Sequence, residues 1–185
     1  MRTPTPRAAA GRLARGCTAL LMLLAALMSP APSLAAGDHP VAIAVADFDN
    51  VDTAGEAADR TAQHAARVRD FSSLLRNGLA GAANYKVVRL ECDKPSCSVG
   101  SLGADALIAA ARRSRARVLV YGGIHKMSTL LQFGEMQAVD LDRGQLLVRR
   151  SFTFRGDSDE AFRHAADFMR DSLENDPAMR TPRAP

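Results

Sequence analysis

The sequence has no tryptophan, two tyrosines and an aromatic content of 5% in 185 residues. That poverty excludes the aromatic platforms on which bases and sugar rings are stacked. Charge of one sign is also lacking where a charged partner would need it. The formal net charge is +4, but Arg2, Arg7, Arg12 and Arg15 sit in the first 35 residues, which hold no acid. Residues 36–185 balance 20 cations against 20 acids, so the domain has no general attraction for nucleic acid or anionic lipid. The patterns G-x-x-x-x-G-K-[ST], G-x-G-x-x-G and G-x-S-x-G are absent, which removes the usual phosphate loops and the nucleophile elbow. No apolar run reaches the roughly 20 residues that span a bilayer.

What is present begins with a leader. Residues 1–16 are basic, residues 17–28 are apolar, Ser29-Pro30-Ala31-Pro32 break the run, and Ser33-Leu34-Ala35 supplies small residues. This is the layout of a secretory signal peptide, cleaved after Ala35 or Ala36. Cys17 precedes the apolar run, which argues against a lipoprotein. The expected organisation is a signal peptide over 1–35, one domain over 36–176 and a disordered tail over 177–185. The mature chain keeps Cys92 and Cys97. An even pair in an oxidising compartment is most simply a disulfide. Free thiols or metal ligands are the alternatives, although C-x4-C is not the redox spacing and zinc would need two more ligands nearby.

Along the chain, Val41–Phe48 reads as a buried strand, residues 55–80 as a helix with a Val68, Phe71, Leu75, Leu79 stripe, and Tyr85–Leu90 as a strand. Residues 101–114 read as a helix with Leu102, Ala106, Ala109 and Ala110 on one face, and Arg117–Ile124 as a strand. Residues 129–140 and 145–155 read as a hairpin turning at Asp142-Arg143-Gly144. In its second strand Leu146, Val148, Phe152 and Phe154 alternate with polar residues, and Arg150 breaks the pattern. Residues 159–174 read as a final helix, with Phe162, Ala165, Ala166, Met169 and Leu173 inward. The order β-α-β-α-β-β-β-α predicts an α/β (α+β) single domain with a mixed five-stranded sheet and helices packed on it.

The candidate chemistry is thin. Asp47-Phe48-Asp49-Asn50-Val51 follows the first strand, where open α/β sheets place ligand sites. The D-x-D-x-V pattern resembles the first motif of haloacid-dehalogenase-type phosphatases. That resemblance implies a nucleophilic Asp47, an acid/base Asp49 and a Mg²⁺ ion between carboxylates, with Lys126 and Asp157 or Asp159 completing the set. The strand ending in Ser or Thr is missing, however, and the later hairpin stands where a helical crossover belongs. A pair of loop aspartates, one capping a helix, is the plainer reading. Arg155-Gly156-Asp157-Ser158-Asp159-Glu160 is explained by capping of the last helix through Asp157 or Ser158. Arg112, Arg113, Arg115 and Arg117 suit a solvated helix end. His64, His125 and His164 have no metal-binding spacing, and His125 beside Lys126 is expected in solvent.

Several segments together resemble an exported bacterial family, domain of unknown function 3280: VAIAVADFDNVDT, FSSLLRNGL, NYKVVRL, ARVLVYGGIHKMSTLL and VDLDRGQLLVRRSFTFRGDSDEAF. The likeness runs over residues 41–174. Its specific parts are Gly123 with Lys126, Ser128 and Leu130, then Arg155-Gly156-Asp157 with Asp159 and Glu160. Family members carry an aromatic near the last motif, which Phe162 matches; their cysteines lie closer together than Cys92 and Cys97. The element order is similar to the amino-terminal domain of TolB and to the periplasmic domain of the curli-secretion channel. The resemblance implies an interaction module, and an accessory role beside periplasmic quinoprotein dehydrogenases.

The function expected from all this is a non-catalytic periplasmic accessory module without cofactor, metal or nucleic acid. It would bind a protein partner through an exposed sheet edge or a surface around Lys126, Ser128, Arg155, Asp157 and Asp159. The alternatives are a Mg²⁺-dependent phosphohydrolase using Asp47 and Asp49, and a small-ligand carrier using a crevice beside the first strand.

Overall fold

The computed structural model describes residues 40–56 and 60–180. The expected signal peptide and residues 181–185 of the expected tail lie outside them. Six strands form one mixed sheet: β1 (Val41–Val45), β2 (Asp49–Asp52), β3 (Tyr85–Val87), β4 (Val118–Lys126), β5 (Leu131–Asp140) and β6 (Gln145–Arg155). The order is β3-β1-β4-β5-β6, with β2 continuing along β4 beyond the end of β1. β3, β1, β2 and β4 run parallel, and β4, β5 and β6 are antiparallel. The α/β class is the one expected; the element order departs from it by a second strand after β1, a split second helix and a short last helix.

The sixth strand arises because the first one is broken. Val45 pairs with Val120 and Asp49 with Gly123. Four steps on one strand thus match three on the other, and the chain bulges through Ala46-Asp47-Phe48. A continuous apolar run carries no signal for such a break.

Among the described residues five helices pack on the sheet: α1 (Thr61–Ala80), α2 (Val99–Leu102), α3 (Ala104–Arg113), α4 (Asp159–Asn175) and α5 (Pro177–Arg180). On α1, His64, Val68, Phe71, Leu75 and Leu79 recur every three or four residues and all are buried, so the stripe faces the sheet. On α4 the expected inward set Phe162, Ala165, Ala166, Met169 and Leu173 is buried. Both helices close one core against Ile43, Val45, Val118, Val120, Met136 and Phe152. The opposite face of β1 and β4 packs Ala44, Ala46 and Leu119 against Leu107 and Ala111 of α3.

Three expectations need correction. Gly103 sits at φ 84 between α2 and α3, where an L side chain is strained. The break resets the helix phase, so Leu107, Ala110 and Ala111 turn inward while Ala106 and Ala109 are exposed. A register shift between Ala138 and Val139 pairs Val148 with Ala138 but Leu146 with Val139, which leaves Leu146 exposed. The tail expected from Pro177 instead starts with α5, whose Met179 is buried in the main core. Arg150, which breaks the expected alternation, stays exposed and reaches the end of α4, with Nη2 2.8 Å from Asp176 Oδ2.

Candidate functional site

Two clusters of charged side chains brace the end of the sheet where the parallel strands finish. The first is built around the bulge. Three backbone groups at the bulge find partners outside the neighbouring strands. Asp47 N–H donates to Cys97 C=O at 3.0 Å, Phe48 N–H donates to Ser72 Oγ at 3.0 Å, and Val45 C=O accepts from Arg76 Nε at 3.0 Å. Ser72 and Arg76 stand one helical turn apart on α1, so one helix face serves the whole break. Sequence reasoning passed over both; the available signal was two polar residues four apart beside an apolar stripe.

The Asp47 carboxylate is fully engaged. It pairs with Arg76 and accepts Cys97 N–H at 2.8 Å and Ser96 Oγ–H at 3.3 Å. Burial alone would raise its pKa; the Cys97 amide, the Arg76 guanidinium and the Ser96 hydroxyl outweigh that and hold it below the usual carboxylate range. Cys92 and Cys97 form a disulfide, and Asp47 ties that covalent loop to the bulge. Asp49 is separately occupied: both of its oxygens lie 3.0 Å from Gly100 N–H in the first turn of α2. The D-x-D pair is therefore one carboxylate in the bulge and one on the first residue of β2, the second accepting an N–H in the first turn of a short helix further along the chain than expected.

The second cluster corrects the expected binding surface. Lys126 is 0% exposed. Its ammonium lies 2.7 Å from Asp157 and 2.9 Å from Glu56. Asp157, 6% exposed in its side chain, also takes His64 Nδ1 at 3.2 Å and Arg67 at 3.1 Å. Burial would lower the Lys126 pKa, but Asp157 and Glu56 raise it above the ordinary value. Burial would raise Asp157, but Lys126 and His64 hold it down. Lys126 and Asp157 are thus interior anchors. Ser158, not Asp157, is the N-cap of α4, accepting Ala161 N–H at 3.3 Å. Asp159 is exposed and pairs with Arg67 at 2.9 Å.

Ser128 and Arg155 remain at the surface. Ser128 Oγ accepts the N–H groups of Leu130 and Leu131 at 3.3 and 3.1 Å. It shapes the β4–β5 loop, whose Met127 and Leu130 are 50% and 70% exposed. Leu130 C=O accepts Gly156 N–H at 3.0 Å, which fixes the loop to the turn holding Asp157. Arg155 is exposed and makes no ion pair with another described residue. The histidines do not gather: His64 is buried on Asp157, His125 meets Thr53 at 2.6 Å and His164 meets Glu160 at 3.5 Å. Among the described residues no three His, Cys, Asp or Glu side chains are placed to hold a metal ion.

Beside β1 lies a cleft of about 860 Å³ between α1, β3 and the disulfide loop, lined by Val45, Arg76, Ala80, Arg89, Leu90 and Lys94 among others. This is the crevice expected at the end of the first strand.

Residues 41–173 match the family DUF3280, described as "Protein of unknown function (DUF2380)". The chain belongs to this family. The DUF3280 match takes in both clusters and the cleft. No curated protein matches the sequence. In fold this DUF3280 domain is similar to the PelC dodecamer protein of Paraburkholderia phytofirmans, at 14% identity and a TM-score of 0.49, covering 78% of this chain and 90% of that one. It is also similar to TolB of Acinetobacter baumannii, at 12% identity and 0.48, over 74% of this chain and 28% of that one. The LpoB carboxy-terminal domain of Salmonella enterica is similar at 17% identity and 0.41, over 61% and 81%. Among the described residues no helix is long and apolar enough to cross a membrane.

Proposed function

We propose that this protein is a non-catalytic periplasmic interaction module, accessory to a periplasmic enzyme or an envelope assembly system. The observation that carries the reading is the β4–β5 loop. Met127 and Leu130 stand in solvent on a loop fixed by Ser128, by Gly156 and, through its flanks, by the buried Lys126–Asp157 pair. Apolar side chains held rigid in water lose little entropy when a partner covers them. The signal-peptide layout of residues 1–35 and the disulfide support an oxidising, exported setting. Arg155 beside the loop supplies a charge for orientation.

The test is affinity capture of the tagged protein from periplasm, beside a Met127→Asp/Leu130→Asp variant of the same stability. The reading expects a stoichiometric partner that the variant loses. A partner list unchanged in the variant sinks it. A second reading, a small-ligand carrier, is favoured by the cleft beside β1. The phosphohydrolase reading has less support, because the Asp47 and Asp49 carboxylates brace the disulfide loop and cap α2.

A further inference from the structure

The cleft exists because β1 and β3 part company. Val88 N–H still reaches Ile43 C=O at 2.8 Å. Two residues further along β1, Val45 C=O has turned to Arg76 Nε at 3.0 Å, and the side chain has replaced the neighbouring strand. Beyond that point the chain swings out through Arg89, Leu90 and Glu91 into the disulfide loop, and the wedge left open has about 860 Å³. That volume falls in the range of small-molecule sites, roughly 300–1,000 Å³.

Its walls are of two kinds. Val45, Ala80, Leu90 and the disulfide are apolar, and Arg76, Arg89 and Lys94 are cationic. Arg76 is committed to Asp47. Lys94 donates to Ser101 C=O at 2.5 Å, which leaves two ammonium protons for another acceptor. Arg89 is exposed and makes no hydrogen bond or ion pair with a described residue. The acids in the wall are Asp47, already spent on Arg76 and Cys97, and Glu91. The cleft also receives the carboxy-terminal end of α1 at Asn77 and Ala80. The partial negative charge there disfavours a multiply charged anion such as phosphate. A planar monoanion matches the fork of a guanidinium, and an apolar tail matches the opposite wall.

We propose that this cleft binds a small organic carboxylate with a short aliphatic tail, its carboxylate on Arg89 and Lys94 and its tail against Val45, Ala80 and Leu90. The proposal rests on the carrier reading and names its ligand class.

The test is a ¹H–¹⁵N NMR titration of the protein with hexanoate, with hexan-1-ol and with inorganic phosphate. Hexanoate is expected to move the amides of Ala80, Leu90 and Cys92 and the Arg89 Nε–H saturably, and more tightly than either other probe. Arg89→Gln is expected to weaken hexanoate about tenfold, the loss of one charged hydrogen bond. Because Arg89 is exposed and makes no ion pair with a described residue, the fold is expected to stay intact in that variant. Ala80→Phe, at an exposed position on the wall, is expected to abolish the shifts by filling the space. Hexan-1-ol binding as tightly as hexanoate, phosphate binding more tightly, or an Arg89→Gln variant with unchanged affinity overturns the carboxylate assignment and leaves the carrier reading standing. No saturable shift with any probe overturns both.

Discussion

Lys126 Nζ and Asp157 Oδ2 lie 2.7 Å apart in the interior, joining the last residue of β4 to the turn that starts α4. With Glu56 on the other side of the ammonium at 2.9 Å, the lysine ties together three segments distant in sequence. Desolvating these charges is costly, and only mutual pairing with additional hydrogen bonds offsets it. His64 and Arg67 supply two of those bonds to Asp157. The cluster therefore fixes geometry more than it adds net stability.

Removing one member exposes that cost. Lys126→Met takes the cation from Glu56 and leaves Asp157 with Arg67 and His64 alone, and is expected to destabilise by about 3 kcal/mol. Urea denaturation of the variant measures it. A loss under about 1 kcal/mol, the size of a surface ion pair, contradicts the interior role.

Acid acts on the same cluster. The pKa values of Asp157 and Asp47 are lowered in the folded protein, so their contribution is complete above the unfolded value of about 3.9 and fades as pH falls through the lower folded values. Lys126 is raised, so its contribution holds up to about 10.4 and fades above that. The stability difference between wild type and Asp157→Asn is expected to shrink as pH falls below about pH 4. A difference independent of pH down to acid unfolding argues that Asp157 is not ionised in the fold.

Asp47→Asn separates a structural carboxylate from a nucleophilic one. Loss of the Arg76 pair and of the charge on the Cys97 and Ser96 bonds is expected to cost about 1.5–3 kcal/mol. Amide exchange of residues 92–97 is expected to speed up, with no change in hydrolysis of p-nitrophenyl phosphate. A fall in that hydrolysis below wild type would reinstate the phosphatase reading.

The disulfide closes a short loop, so its entropic contribution is small. Changing both Cys92 and Cys97 to Ser is expected to lower stability by about 2 kcal/mol, leaving a folded protein with a looser wall to the β1 cleft. Chemical denaturation under matched conditions gives the number. Complete unfolding of the double variant contradicts the estimate.

Gly134 is a test of close approach. A Cβ built there would fall well inside contact distance of Cζ of Phe152, whose ring stacks between Phe71 and Phe154 at 6.0 and 6.1 Å. Gly134→Ala is expected to cost about 1–3 kcal/mol by overpacking. A Phe152→Leu change in the same chain should recover part of it, which a double-mutant cycle reads directly. Strictly additive losses exclude the contact as the cause.

How far the sequence spoke differs between elements. The α1 and α4 stripes were legible because a helix buries one face at a period of 3.6 residues, whatever it packs against. The β5–β6 hairpin was legible from its turn and its alternation. The break after Val45 was not, because a bulge is fixed by the neighbouring strand and by Ser72 and Arg76, which lie tens of residues away. The site was less legible still. Lys126 and Asp157 read from the sequence as surface residues, since lysine is almost never fully buried unless paired, and their pairing has no local signal. Glu56, His64 and Arg67 carry no local pattern that marks them as the partners.

The sequence by itself determined the class of fold, the succession of its main strands and helices, a capping turn before α4 and the cysteine pair, because each follows from local periodicity, turn chemistry or composition. Only the tertiary structure decided which charges are interior, which carboxylate holds the disulfide loop and where the sheet parts to make a cleft. Those outcomes depend on groups brought together from distant parts of the chain, and the balance between desolvation and pairing exists only once they meet.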